Sequence, residues 1–227
     1  MGRVVKDPVV RQNEILDVAQ QLFYTKGYEQ TAVRDIISEI GIAKGTFYHH
    51  YNSKEELLDS LLDRLLAQSL SIIIPIVEDE NMLAIEKLHQ FFAQVSNFKL
   101  ENESFLRALL PVWYQDSNAI MREKMKVITL KEISPLIAQI IHQGIAEGVF
   151  HTDYPDEMGS LIMQILHGLS ETLARLILKL DGEAANWDEV KRKIKVYDTA
   201  VASLLGTAPD SIHLIDIDPY RHWFEET

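Results

Sequence analysis

The chain has 227 residues, 47% hydrophobic and 25% charged, with a formal net charge of -12, which suffices for one large domain or for a small domain plus a larger one. It has no cysteine, which excludes disulfides and thiolate chemistry and fits a reducing cytoplasm. No uninterrupted apolar run nears the roughly 20 residues of a membrane span; the longest, 71–77, is broken by Pro75, and no apolar segment follows Arg3 and Lys6 as a secretory signal requires.

Asp7 and Pro8 form an N-cap and first-turn pair, and Ile15, Val18, Ala19, Leu22 and Phe23 then recur with helical spacing up to Gly27, predicting a first helix. Gly2 to Lys6 ahead of it reads as a disordered terminus or a basic arm. Thr31 is placed to cap a second helix whose Ile36, Ile37 and Ile40 face inward, and Gly41 supplies the turn after it. A third helix follows over about Ala43 to Tyr51. With Lys44 at 0° and about 100° per residue, Phe47 falls near 300° and Tyr51 near 340°, so both rings pack inward, while Gly45 and His49 face out at roughly 100° and 140°. Lys44 and Tyr48 flank this outward arc on one side, Thr46 and His50 on the other. A cation, aromatic rings, a hydroxyl and a glycine that permits close backbone approach suit a groove of bases and phosphates. The pattern is that of the second helix of a helix-turn-helix.

Ser53 and Glu56 form a capping box that opens a helix carrying Leu57, Leu58, Leu61, Leu62, Leu65 and Leu66. It is expected to run to about Ile74 as a lever, and to end at Pro75 and the acidic 78–80. Further helices are expected over 82–99, 104–114 and 118–132, with Pro111 and Pro135 as kinks or breaks. Ser134 and Pro135 restart a helix that Gly148 closes. Two stripes follow: Met158, Ile162, Ile165, Leu169, Leu173, Leu176 and Leu180, then Val190, Ile194, Tyr197, Val201 and Leu204 in a helix that Asn186 and Glu189 can cap. Their alternating spacings of three and four form seams, either between subunits or within one protomer, and Gly159, Ser160, Gly168 and Ser170 allow close approach. The tail after Gly206, with Ile212, Leu214, Ile215, Ile217, Tyr220, Trp223 and Phe224, is apolar enough to pack onto the body.

The net charge argues against nucleic acid, whose phosphates demand positive potential. It is unevenly distributed, however. Residues 1–54 carry seven Lys/Arg against six Asp/Glu, and the remainder carries the rest of the 22 basic and 34 acidic residues. A near-neutral head thus precedes an acidic body. The cations of 191–195 surround the seam residue Ile194 and read as a solvated face. His49 and His50 diverge by about 100° on a helix and cannot share an ion, and no His-Glu-x-x-His occurs. His89, His142 and His167 read as packed or pocket-lining groups; neither a metal nor a cofactor is expected. With no Gly-x-Ser-x-Gly and no phosphate-cradling glycine loop, an enzyme is not expected either.

Phe23 to Tyr28, Thr31 and the run Gly41-Ile-Ala-Lys-Gly-Thr-Phe-Tyr-His-His-Tyr-Asn-Ser-Lys54 resemble the TetR family of bacterial transcriptional regulators, whose signature joins Phe-x-x-x-Gly-Tyr and Thr to Gly-Ile/Val-x-x-Gly-Thr-Phe/Leu-Tyr-x-His/Tyr-Phe-x-x-Lys. Tyr51, where Phe is more usual, is the one departure. The resemblance covers about Val9 to Leu58. It implies an all-α fold, with an N-terminal three-helix helix-turn-helix DNA-binding domain, 1–54, and a larger helical ligand-binding and dimerisation domain, 55–227. In such a regulator Thr31, Thr46 and Lys54 would meet phosphates of double-stranded operator DNA, and Lys44, Gly45, Tyr48 and His49 would lie nearest the bases. It further implies a homodimer joined as a four-helix bundle through helices about 156–180 and 187–205, and an unidentified small-molecule effector. Phe91, Phe92, Phe98, Phe105, Trp113, Tyr114, Met121 and Met125 are available to line its pocket, with Gln164 and His167 as polar anchors; Phe92, Trp113, Met125, Gln164 and His167 are the chosen candidates. The expected function is a cytoplasmic, ligand-responsive repressor, the alternative a helical sensor or adaptor acting through protein contacts.

Overall fold

A computed structural model describes residues 7–101, 103–179 and 186–225; the 2–6 arm and Leu180 lie outside the described residues, as do the side chains of Phe98 and Phe105. The described residues form α1 (Pro8–Thr25), α2 (Val33–Ile40), α3 (Lys44–His50), α4 (Lys54–Glu78), α5 (Ala84–Glu101), α6 (Glu103–Trp113), α7 (Ala119–Ala146), α8 (Pro155–Ile177), α9 (Trp187–Leu204) and α10 (Arg221–Glu225), with 3-10 turns at Asp116–Asn118 and Asp218–Tyr220. They divide into two compact units. The head runs through Ala67 and takes in Ala108–Met125; the body comprises Gln68–Arg107 and the chain from Lys126 on. The unit holding the helix-turn-helix is therefore larger than 1–54.

In the head, Ile15, Leu16, Ala19 and Phe23 of α1 meet Ile36 of α2, Phe47 of α3, Tyr51, and Leu57, Leu58, Leu61 and Leu62 of α4 in one core. Each such side chain contributes about 1.5–3 kcal/mol relative to exposure. Asp7 caps α1 as its chemistry predicts, accepting the Val9 N–H at 2.8 Å. Arg64 of α4 donates to Asp17 and Gln20 of α1, both at 2.7 Å.

The segment 108–125 completes this unit with groups far away in sequence. Asn118 is fully buried: its Oδ1 accepts the Tyr28 N–H at 2.7 Å, and its Nδ2 donates to the carbonyls of Phe23 and Val112 at 3.2 and 3.1 Å. The Ser117 carbonyl accepts the Glu29 N–H at 3.0 Å. Gly27, at φ +97°, lies so close beneath this turn that a Cβ on it would sit 2.5 Å from Ser117 Oγ. Met121 is buried in the same core, and Lys124 reaches Glu55 and Asp59 of α4 at 3.1 and 2.6 Å.

Ser53 caps α4, its Oγ accepting the Glu56 N–H at 3.0 Å. The Glu56 carboxylate reaches back one residue further than a capping box requires, to the Asn52 N–H at 2.7 Å. The helix does not stop at Ile74: it continues through Pro75 to Glu78, a length of about 37 Å. Pro111 and Pro135 likewise lie inside continuous helices. A proline has helical φ and forfeits one main-chain bond, a loss that packing along a long helix absorbs. By length and composition α4 could also cross a membrane, with a mean hydropathy of 1.5 in its most apolar stretch, which a count of uninterrupted apolar residues misses. Asp63 and Arg64 interrupt that apolarity.

The body stripes are buried in part, with Ile165, Leu176, Tyr197 and Leu204 half-buried. Met158, Ile162, Leu169 and Leu173 of α8 and Val190, Ile194 and Val201 of α9 are all buried within one protomer. Gly159 is spent on the same packing, since a Cβ there would stand 2.1 Å from the Ser134 carbonyl of α7. Of the large apolar α9 residues, Val196 is turned out, 62% exposed. The tail packs onto the body through Ile212, Leu214, Tyr220, Trp223 and Phe224. Asp198 of α9 anchors it by accepting the Leu214 N–H at 2.9 Å, His89 meets the Ser211 carbonyl at 2.9 Å, and His222 meets Glu103 at 2.5 Å.

Two outcomes follow from these buried polar groups. Asn118→Ala orphans the Tyr28 N–H and two carbonyls and is expected to cost about 2–3 kcal/mol, read as a lower urea midpoint at unchanged slope. Burial pushes the Asp198 carboxyl above its ordinary 3.8, so the folded state binds that proton more tightly than the unfolded one. This contribution is at its best below the unfolded value and is lost as pH rises through the folded one. Asp198→Asn keeps an oxygen for Leu214, and its thermal midpoint relative to the parent should rise from pH 4 to pH 7; a flat difference would reject the assignment.

Candidate nucleic-acid interface

The turn between α2 and α3 needs a left-handed residue, and Gly41 provides it at φ +72°, donating its N–H to Ile37 at 3.0 Å; a side chain there is strained. Ile42 and Ala43 then lead into α3, whose inward rings fall as the helical projection requires. Phe47 is fully buried and Tyr51 is 1% exposed, the two rings 6.1 Å apart.

Opposite them Lys44, Gly45, Tyr48 and His49 are exposed, and Thr46 and His50 are half-buried at the margins. Tyr48 is pinned edge-on against Phe47 at 5.3 Å, with the Lys44 ammonium 5.7 Å from its ring. His49 and His50 stand edge to face at 5.2 Å; burial first, then the neighbouring His49 and Arg11, hold the His50 imidazole below its ordinary pKa. Lys44 and Tyr48 border an open depression of about 420 Å³ that also takes in Val33, Arg34, Ile37, Ser38, Gly41 and Ile42. The Arg34 side chain is 90% exposed, with the Asp35 carboxylate 3.7 Å away. It supplies this surface with a second cation that the reading of α3 alone passes over; its position seven residues before the turn-forming Gly41, on the same face of α2, is the signal that marks it.

Two expected contacts are placed otherwise. Thr31 does not cap α2: the cap residue is Ala32, whose N–H is accepted by the Asp35 carboxylate at 3.0 Å. Thr31 is wholly buried, its hydroxyl donating to the Gly27 carbonyl at 2.7 Å, which braces the preceding loop. It is therefore withheld from any phosphate. Lys54 also turns inward: its Nζ donates to the carbonyls of Tyr28 and Thr31 at 2.9 and 3.0 Å.

Of the five effector candidates, Trp113 and Met125 belong to the head and Phe92, Gln164 and His167 to the body. Trp113 and Met125 pack against the head core, Trp113 edge-on to Tyr24 at 6.2 Å. Phe92 is buried in the body, His167 meets Thr129 at 3.2 Å, and Gln164 is exposed, 3.4 Å from Ser160. A second depression, about 320 Å³, lies over α7 and the start of α8, lined by Leu130, Lys131, Ser134, Pro135, Ala138, Gln139, His142 and Asp156. Neither depression includes any of the five.

Two family profiles match the chain: bacterial regulatory proteins of the tetR family over residues 15–61, and the tetracyclin repressor-like C-terminal domain over 113–196. The HTH-type transcriptional repressor KstR2 of Mycobacterium tuberculosis H37Rv is 29% identical over 161 residues, 67% of this chain and 76% of that protein. The uncharacterized HTH-type regulator YfiR of Bacillus subtilis is 23% identical over 192 residues, 82% and 89% of the two chains. The fold resembles that of a TetR regulatory protein from Rhodobacter sphaeroides, with a TM-score of 0.60 at 16% identity over 83% of this chain and 97% of that one. SmeT, solved with triclosan, gives 0.63 at 16% identity over 86% and 91%.

Proposed function

The chain belongs to the TetR family of bacterial regulatory proteins, and from that premise we propose that it is a cytoplasmic repressor that leaves its operator when a small molecule binds the body. Regulators of this family bind operator DNA, usually as dimers, and small-molecule effectors. The observation that carries the reading is the division of α3 into a buried edge, Phe47 with Tyr51 behind it, and an exposed edge of Lys44, Gly45, Tyr48 and His49. Lys44 offers donors to guanine O6 and N7, Tyr48 and His49 offer ring and hydrogen-bond contacts to base edges, and Thr46 and Arg34 are placed for phosphates. Repression is favoured over activation by the KstR2 relatives, which are named repressors.

A second copy, joined through the outward faces of α8 and α9 around Val196, would present two heads to major grooves about 34–36 Å apart. An effector that favours another head separation needs a coupling of only about 1–3 kcal/mol to release DNA, and α4, which contributes to both units, is the element suited to carry it. Footprinting the purified protein on its own upstream region, at fixed salt and with small hydrophobic molecules added, tests both halves. No protection at low salt rejects operator binding; protection that no added molecule weakens leaves a constitutive repressor.

Lys44→Ala is expected to weaken the operator complex by about 1–3 kcal/mol more than binding to random DNA; equal loss on both would reassign Lys44 to a phosphate. Gly45 has no heavy atom within 4 Å of where a Cβ would stand, so Gly45→Ala should stabilise free protein by up to about 1 kcal/mol. Because the added methyl enters the space a groove edge would occupy, the same variant should lose about tenfold in operator affinity, roughly 1.4 kcal/mol. Titration by fluorescence anisotropy beside a melting curve would show the two effects opposed, and undiminished affinity would mean that nothing approaches that backbone.

A further inference from the structure

We propose that Lys26 is a positioning residue of the DNA-binding head: by holding the Asp35 carboxylate it keeps the neighbouring Arg34 guanidinium free for a DNA phosphate; this rests on the reading that the head binds DNA. The two Asp35 oxygens are unequally engaged. Oδ2 accepts the Ala32 N–H at 3.0 Å and a Lys26 Nζ–H at 2.5 Å. Oδ1 has Arg34 Nε 3.7 Å away, beyond hydrogen-bond distance. The Arg34 side chain is 90% exposed and lines the depression that Lys44 and Tyr48 border. Two cations thus stand beside one carboxylate, and Lys26 has it.

The helix ends explain this division. Lys26 is the C-cap residue of α1, where unpaired carbonyls favour a cation, and Asp35 lies in the first turn of α2, where unpaired N–H groups favour an anion. Each of the two charges therefore sits at the helix end that suits it. Arg34 lies in the same first turn as Asp35, at an end that disfavours positive charge, and an outside phosphate supplies what the helix does not. The order of influences on the Asp35 carboxyl agrees: the Lys26 hydrogen bond first, then the Ala32 N–H, hold it below its ordinary pKa, with Arg34 contributing least.

Without Lys26, Asp35 would keep the Ala32 N–H and Arg34 would be the cation at hand. A guanidinium pairs with carboxylate and phosphate through the same fork of donors, so an arginine drawn to Asp35 has to leave it before it can meet DNA. An exposed ion pair is weak, and giving one up corresponds to an affinity loss of about two- to fivefold. The Lys26 side chain is 47% exposed, and a lysine has three donors; one is on Asp35, and the exposure leaves the others to water. A phosphate contact made by Lys26 itself is therefore the rival explanation, and the loss it predicts does not depend on Arg34.

The test combines Lys26→Met, which keeps the stem and loses the ammonium, with Arg34→Ala and with Asp35→Asn, whose amide oxygen still accepts the Ala32 N–H. Operator affinity is read by fluorescence anisotropy at about 0.15 M salt, where screening over roughly 8 Å mutes distant charges, and circular dichroism verifies that each variant is folded. Lys26→Met is expected to weaken binding about two- to fivefold in the otherwise unaltered protein, and by less than about 1.5-fold where Arg34 is already alanine or Asp35 already asparagine. Lys26→Arg keeps the pair and should stay within about 1.5-fold of the parent. No loss in Lys26→Met overturns the proposal, as does a loss above about 1.5-fold in the Arg34→Ala background, which gives Lys26 a phosphate of its own. Free protein supplies a reading that needs neither DNA nor a Lys26 variant, and it decides if Lys26→Met does not fold. The Asp35 titration, followed by NMR of its carboxyl carbon, should move by less than about 0.3 pH unit when Arg34 becomes alanine. A larger upward shift means that Arg34 holds the carboxylate and rejects the proposal whether or not DNA binds. A parent that binds no operator while the Asp35 titration holds would instead sink the DNA-binding reading.

Discussion

The head depends on satisfying the main chain of a short reversal. Between the end of α1 at Thr25 and the start of α2 at Val33 the chain turns back with no helix to pair its amides and carbonyls, and a buried polar group left without a partner costs several times what a made hydrogen bond contributes. The partners come from many places. Thr31 Oγ1 takes the Gly27 carbonyl, Asn118 and the Ser117 carbonyl take the N–H groups of Tyr28 and Glu29, Lys54 takes two carbonyls, and Asp35 takes the N–H of Ala32. Lys26 in turn holds Asp35 at 2.5 Å; that hydrogen bond first, with the Ala32 N–H after it, keeps the Asp35 carboxyl below its ordinary pKa. The first 54 residues cannot satisfy this loop from within, which is why the compact head takes in 108–125.

This division separates what could be read from the sequence from what could not. Helical faces are local: a period of 3.6 residues places Phe47 and Tyr51 on one edge whatever surrounds them, and the caps of Asp7, Ser53 and Asn186 act within three residues of themselves. The fastenings of the loop are not local. Tyr28 and Asn118 are 90 residues apart, and nothing about an asparagine in a polar stretch announces which distant amide it will meet. Thr31 shows a subtler limit, because Thr31 and Asp35 are both good partners for the first N–H groups of α2. The cap position falls on Ala32, whose N–H the Asp35 carboxylate accepts, and the Thr31 hydroxyl, one residue earlier, turns inward.

The seams of α8 and α9 raise the same issue on a larger scale. Spacing identifies an apolar stripe but carries no information about what covers it. Most of the stripe is consumed inside a single protomer, and Gly159, a small residue that suits close helix contact in general, is committed to the Ser134 carbonyl. The exposed face of α9 presents Val196 among Lys195, Arg192 and Ala200. Such a surface is more polar than the seam itself and closer to the mixed character of interfaces between separately folded proteins.

Glycines offer a test that does not depend on resemblance. Each of the other described glycines either takes a positive φ or has its own chain within 4 Å of the place a Cβ would occupy; Gly45 has neither. It lies in the first turn of α3, where alanine would fit without strain and would favour the helix by up to about 1 kcal/mol. Among the described residues nothing packs against this position that requires a glycine. The residues beside it are Lys44 and the pinned ring of Tyr48, at the edge of an open depression. On the proposed reading, a helix that forgoes stability at its exposed edge, next to a cation and a phenol, would suit close contact with a surface outside the protein, and the major groove of DNA, with its donors and acceptors, has the shape and the polarity to fill that place.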